Sequence, residues 1–211
     1  GLREFTAGVL GDERGLIQAF GLFVSQHPST YYNRSGYDAY RHVMRTAPQS
    51  APVMRQLLRE AGHVCAFNTF GGIMLSPEWE GLVGAPSGDP DETLVACLAI
   101  ARALGFGHWA ATEFEPGRRL VLQTPASYES AYYVNREGRS ANPMCFFLQG
   151  AVLATMQLTD RVRWAERPQL TPQFYAQLFK HGLPWQAEET HCLSRGDSHC
   201  EVVVTRREVQ S

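Results

Sequence analysis

Hydrophobic positions fall at helical spacing from Pro52 to Cys65, where Val53, Met54, Leu57, Leu58, Ala61, Val64 and Cys65 share one face behind a first-turn proline. Cys65 is expected in the core on this stripe, and His63, off it, in solvent. A second helix starts at Asp89, with Pro90 at its first position and Glu92 placed for a capping box. Its buried face is predicted to carry Leu94, Val95, Leu98, Ala99 and either Ala101 or the stem of Arg102, Cys97 is read as core filler, and Gly105 ends the helix. From Phe106 the period changes. Phe106 to Phe114 and Arg119 to Gln123 flank the turn Glu115-Pro116-Gly117-Arg118, a β-hairpin with Leu120 and Leu122 on one face. Residues 124–129 are a loop or short helix. Asn142-Pro143 opens a third helix running from Met144 to about Leu158 with almost no charge, which implies burial on most sides. Thr171-Pro172 opens a fourth through His181, ended by Gly182; Leu183 to Cys192 and Cys200 to Thr205 then form two strands around a polar turn. Gly15 to Ser25 fits a strand or a short buried helix. The pattern predicts an α+β fold, an antiparallel β-sheet packed on helices.

Composition narrows the classes. A chain of 211 residues can bury one sizeable core. The net charge of -2 with 19% charged residues gives no footprint for direct nucleic acid binding. With no apolar run long enough for a bilayer and no signal-peptide pattern at the N-terminus, a cytoplasmic protein without a membrane partner is expected. Five cysteines, an odd number, then read as reduced thiols, some of them ligands. Tyr31, Tyr32, Tyr37 and Tyr40 form a packing surface or a homodimer interface. The Pro-, Gly- and Ser-rich stretch Ser76 to Pro90 suggests a boundary between an N-terminal helical, dimerising extension (1–85) and a ligand-binding domain (86–211).

The densest chemistry lies in the last hairpin, where Glu189, Cys192 and Cys200 supply three donors for a metal. Cys145, His191 and His199 can each supply the fourth. Neighbours on a strand point to opposite faces, so one ion rarely takes both a cysteine and the histidine beside it. Cys145 is preferred: it starts a buried helix, and its helix-dipole setting favours a thiolate. Three thiolates and a carboxylate make a closed structural zinc site, a staple for the C-terminal hairpin. Cys192 and Cys200 could instead be two plain reduced thiols or a hairpin disulfide.

Gly105-Phe106-Gly107, Ser127-Tyr128-Glu129, Pro143-Met144-Cys145 with Gly150 five residues on, and Glu189-x2-Cys192 with Gly196-Asp197 and Cys200 resemble the 4-vinyl reductase domain over roughly residues 86 to 205. That domain is the sensor of phenol- and xylene-responsive bacterial transcription activators and is related to Bet-three subunits of vesicle-tethering complexes. The resemblance implies a structural zinc on Cys145, Glu189, Cys192 and Cys200, beside a buried pocket for a small aromatic effector. The sequence departs from those sensors at Thr124, where they carry a tryptophan that touches phenol, and in an insertion at about 161–186.

The leading expectation is a sensory domain, homodimeric and acting on transcription or a partner protein. Its apolar or aromatic effector would meet Trp109, Leu122, Thr124, Tyr128, Phe147 and Leu148. The alternatives are an enzyme or accessory protein of tetrapyrrole metabolism and an assembly or tethering module. No dinucleotide fingerprint, phosphate loop, nucleophile elbow or His-Glu-x-x-His motif supports catalysis, and no catalytic residue is assigned.

Overall fold

A computed structural model describes residues 10–19, 22–24, 28–180 and 185–206. A small antiparallel pair, β1 (Ile17–Ala19) and β2 (Leu22–Val24), comes first. Four helices follow: α1 (Ser29–Thr46), α2 (Ala51–Met74), α3 (Pro77–Val83) and α4 (Pro90–Ala103). The hairpin β3 (Ala110–Glu115) and β4 (Arg119–Thr124) leads to α5 (Tyr128–Glu137) and α6 (Phe146–Arg161). A short α7 (Pro172–Tyr175), continuing as a wider turn over Ala176–Lys180, precedes β5 (Trp185–His191) and β6 (Cys200–Arg206). The four later strands make one antiparallel sheet in the order β3-β4-β6-β5. None of the described helices is long and apolar enough to cross a membrane.

Helix α6 is central, with α2 and α4 packed on it and the β4-β6-β5 face of the sheet on another side. Eleven of its 16 residues are buried, as its uncharged sequence predicts. It meets α2 at backbone contact through two glycines. A Cβ on Gly150 would lie 1.8 Å from the Arg59 carbonyl oxygen, and one on Gly62 would lie 1.9 Å from that of Phe147. No side chain fits between helices this close, so both positions require glycine.

Sequence and structure differ in several elements. Helix α2 continues nine residues past Cys65, and its buried face is Gly62, His63, Ala66, Phe67 and Phe70. Val53 and Leu57 are exposed, because the apolar second half of the helix decides which face turns inward. His63 is therefore buried: its Nδ1 lies 2.7 Å from the Tyr175 hydroxyl, and its Nε2 meets the Gln157 side-chain oxygen. Two polar partners offset the desolvation that placed it in solvent by sequence. In α4 the inward residues are Leu94, Cys97, Ile100 and Ala101, and Val95 is exposed. The Asp89 cap stands, its carboxylate accepting the Glu92 N–H at 3.0 Å. Helix α6 begins at Phe146 rather than Met144, leaving Cys145 as the residue before it in non-helical backbone. The predicted end of α7 at His181-Gly182 and the strand start at Leu183 lie outside the described residues.

The N-terminal tyrosines divide. Tyr37 packs edge-on against Tyr133 of α5 at 5.0 Å, and Tyr40 against Phe146 at 5.2 Å. Tyr31 and Tyr32 are exposed.

Candidate metal centre and the adjoining cavity

Cys145, Glu189, Cys192 and Cys200 come together as a buried group whose ligand atoms all lie within 4.8 Å of one another. Each arrives from a different local setting. Cys145 precedes α6, Glu189 is an inward-facing residue of β5, Cys192 follows that strand, and Cys200 opens β6. The Cys145 sulfur is 4.0 Å from that of Cys192 and 3.8 Å from that of Cys200. Such a set of buried thiols and a carboxylate is able to hold a metal ion.

The surroundings fix these donors in place. The Cys145 N–H donates to Glu189 Oε2 at 3.0 Å, and the Gln149 side-chain amide reaches the same oxygen at 3.2 Å. Among the described residues, Glu189 Oε1 is buried without a hydrogen bond. The Cys192 N–H donates to Asp197 Oδ2 at 2.7 Å, and Arg195 Nη2 bridges Asp197 Oδ2 and the Thr190 carbonyl. Gly196, with φ of 97°, supplies the left-handed turn between them. Sequence reasoning missed Ser130, a buried residue of α5 whose hydroxyl lies 3.0, 3.2 and 3.4 Å from the sulfurs of Cys145, Cys192 and Cys200. Only the serine and its spacing from Ser127 signal it in the sequence. The Ser127 hydroxyl caps α5 and sits 3.1 Å from the Cys145 sulfur.

Acids packed this closely perturb one another's ionisation. Burial and the neighbouring thiols push the Cys145 thiol well above its ordinary range. Hydrogen bonds from the Cys145 and Cys200 thiols hold Cys192 far below it. Cys200 is drawn down by Cys145 but raised by Cys192 and burial, to about 12. Burial, then the charge on Cys192, raises Glu189 to about 8. In α5 Glu129 accepts the Phe147 and Leu148 N–H groups at 3.1 and 2.9 Å, at the open end of α6. Burial raises its carboxyl to about 8 against the pull of those two donors.

Beside this group lies an apolar cavity of about 30 Å³. Trp109, Leu122, Phe147 and Leu148 line it, four of the six residues expected at an effector site. Thr124 and Tyr128 are not on its wall. Thr124 pairs with Cys200 across the sheet and donates its hydroxyl to the Ala126 carbonyl at 2.8 Å, while Tyr128 packs against Phe106. Cys65, Thr69 and Phe70 of α2 and Cys97 of α4 complete much of the wall. Cys97 thus lines the cavity as part of the core, whereas Cys65, expected in the core, is a half-buried residue of the cavity wall. Their thiols are raised above the ordinary range by burial, Cys97 beyond Cys65, so neither is an activated nucleophile.

No protein-family model matches the chain, and no curated protein sequence matches it. Among solved structures, the crystal structure of the phenol-responsive sensory domain of the transcription activator PoxR with phenol aligns at a TM-score of 0.64. Identity is 12%, over 97% of this chain and 88% of that one. A trafficking protein particle complex subunit 3 from Naegleria fowleri, covalently bound to palmitic acid, gives a TM-score of 0.44 at 10% identity, over 86% of this chain and 98% of that one. The chain has the fold of the phenol-responsive sensory domain.

Proposed function

We propose that the chain is a sensory domain that takes a small apolar or aromatic effector into the cavity beside α6, with a structural zinc clamping the last hairpin to the start of that helix. The reading rests on one observation. Phe147 and Leu148, in the first turn of the helix that Cys145 precedes, are also cavity wall. The likeness to the PoxR sensory domain supports it through the fold.

The donor set fits zinc. Four ligands at about 2.3 Å in a tetrahedron place sulfurs about 3.8 Å apart. The sulfur separations from Cys145 are 3.8 and 4.0 Å, and Glu189 keeps an unpaired oxygen for the fourth position. When bound, zinc would supply no reaction chemistry, since four protein ligands leave no place for water. Cys192 and Cys200 would hold the two sides of the hairpin turn, Cys145 the entry to α6, and Glu189 the β5 side.

Selection of effector follows from the wall. Its walls are aromatic and aliphatic, with Thr69, Thr155 and two thiols as the polar groups. A cavity of about 30 Å³ holds one or two waters, whereas a benzene-sized guest needs roughly 150 Å³. Phe70, Phe147 and Leu148 must therefore turn aside on binding, so the effector reads out as a repacked α2-α6 contact. The domain acts in the cytoplasm as a homodimer, regulating transcription or a partner protein. Exposed Tyr31, Tyr32, Met44, Val53 and Leu57 on α1 and α2 support such a contact.

The test is a thermal-shift screen of the zinc-loaded protein against phenols, alkylbenzenes and isoprenoid-like compounds. The reading predicts stabilisation that grows with concentration for at least one class. No shift from any member contradicts it.

A further inference from the structure

The hairpin that carries Cys192 and Cys200 inward carries a second group of donors on its other face. Glu201 pairs across the strands with His191, and His199 lies two residues before Glu201, just ahead of β6, with its ring stacked on that of His191. A bulge between Glu189 and His191 makes this possible. It lets Glu189, opposite Val202, face the core while His191, opposite Glu201, faces outward.

We propose that His191, His199 and Glu201 form a second, exchangeable site for a transition-metal dication of the zinc, nickel or copper class. Their ligand atoms lie within 4.8 Å of one another. His191 Nδ1 is 3.1 Å from Glu201 Oε1, and His199 Nε2 is 4.0 Å from Oε2. Bonds of about 2.1 Å at a tetrahedral ion set neighbouring donors about 3.4 Å apart, between these two values. The two imidazoles stack at 4.8 Å with planes 21° apart, so the rings turn out of the stack to bring both nitrogens to one ion.

The group is held as a site is held. The Gln123 amide donates to Glu201 Oε2 at 2.6 Å and the Thr190 hydroxyl to Oε1 at 2.5 Å, which fixes the carboxylate; Oε2 keeps a lone pair for an ion, and an ion on Oε1 would take the place of its contact with His191 Nδ1. Ser198 pairs with His199 Nδ1 at 3.0 Å. That leaves Nε2 as the ligand atom, and it is buried with no hydrogen bond among the described residues. Two nitrogens and one carboxylate suit borderline dications over calcium or magnesium, which prefer oxygen alone. Side-chain exposure of 48% at His191 and 27% at His199 leaves room for water ligands and for exchange. An ion here would tie together both strands that flank the turn bearing Cys192 and Cys200.

Equilibrium dialysis of the untagged protein against micromolar Zn²⁺, compared with the same protein after desalting, tests the site. One additional zinc per chain is expected, absent in His199→Ala and in His191→Ala, and bound about tenfold more weakly in Gln123→Ala. Circular dichroism of each variant checks that it is folded, and these half-exposed positions give two independent variants. No additional zinc in the wild type, or its retention in either histidine variant, overturns the proposal. Both results are independent of the zinc retained after desalting and of any effector.

Discussion

Cys145 and Leu148 stand one helical turn apart at the start of α6, the first with its thiol in the buried Cys/Glu group and the second with its side chain in the cavity wall. Whatever fixes the thiol fixes the wall. Cys192→Ser or Cys200→Ser is expected to lose the metal and several kcal/mol of stability, part of the roughly 10 kcal/mol or more that couples structural zinc to folding. Urea unfolding with zinc analysis measures both. The effector-induced thermal shift should fall with them.

Gly150 and Gly62 let α6 and α2 meet at their backbones, with an added Cβ 1.8 or 1.9 Å from a carbonyl oxygen. Gly150→Ala is expected to cost about 1–3 kcal/mol or more, as overpacking does. A shift of the urea midpoint reads it, and a midpoint within error of the wild type would deny the close crossing.

Cavity volume can be removed without touching the metal group. Ala151→Val adds two methyl groups at the cavity wall. It is expected to abolish the effector-induced thermal shift while keeping zinc content unchanged and altering stability by no more than about 1–3 kcal/mol. Retention of the full shift would move the effector elsewhere.

Glu129 gives a pH signature. Burial raises its carboxyl in the folded chain to about 8 from an ordinary 4.5. The folded state thus binds the proton more tightly than the unfolded chain. Its contribution is fully present below about 4.5 and is lost as pH rises through about 8. The stability of the wild type relative to Glu129→Gln should fall across that window, measured by urea unfolding at several pH values. A difference that rises with pH would reverse the assignment.

Local chemistry was readable where it is local. Asp89-Pro90 caps α4, Arg195-Gly196-Asp197 makes the turn, and the uncharged run after Cys145 makes the buried α6. Cys145, distant in sequence from the hairpin, could be proposed as its companion because it starts an uncharged, buried helix and completes a set of three thiolates and a carboxylate. What failed were quantities set by tertiary packing. The face α2 buries depends on Phe67, Phe70 and Ile73 meeting α6, α4 and α7, so the stripe from Val53 to Cys65 misplaced His63. Thr69 and Phe70 join the cavity for the same reason. Ser130 resembles any surface serine until folding sets it against three sulfurs.

The clamp is tested most directly by zinc-edge X-ray absorption on desalted, untagged protein purified without chelator. The account predicts about one zinc per chain with three sulfurs near 2.3 Å and one oxygen near 2.0 Å. Zinc well below one equivalent, or a sphere with fewer than three sulfurs, would contradict it.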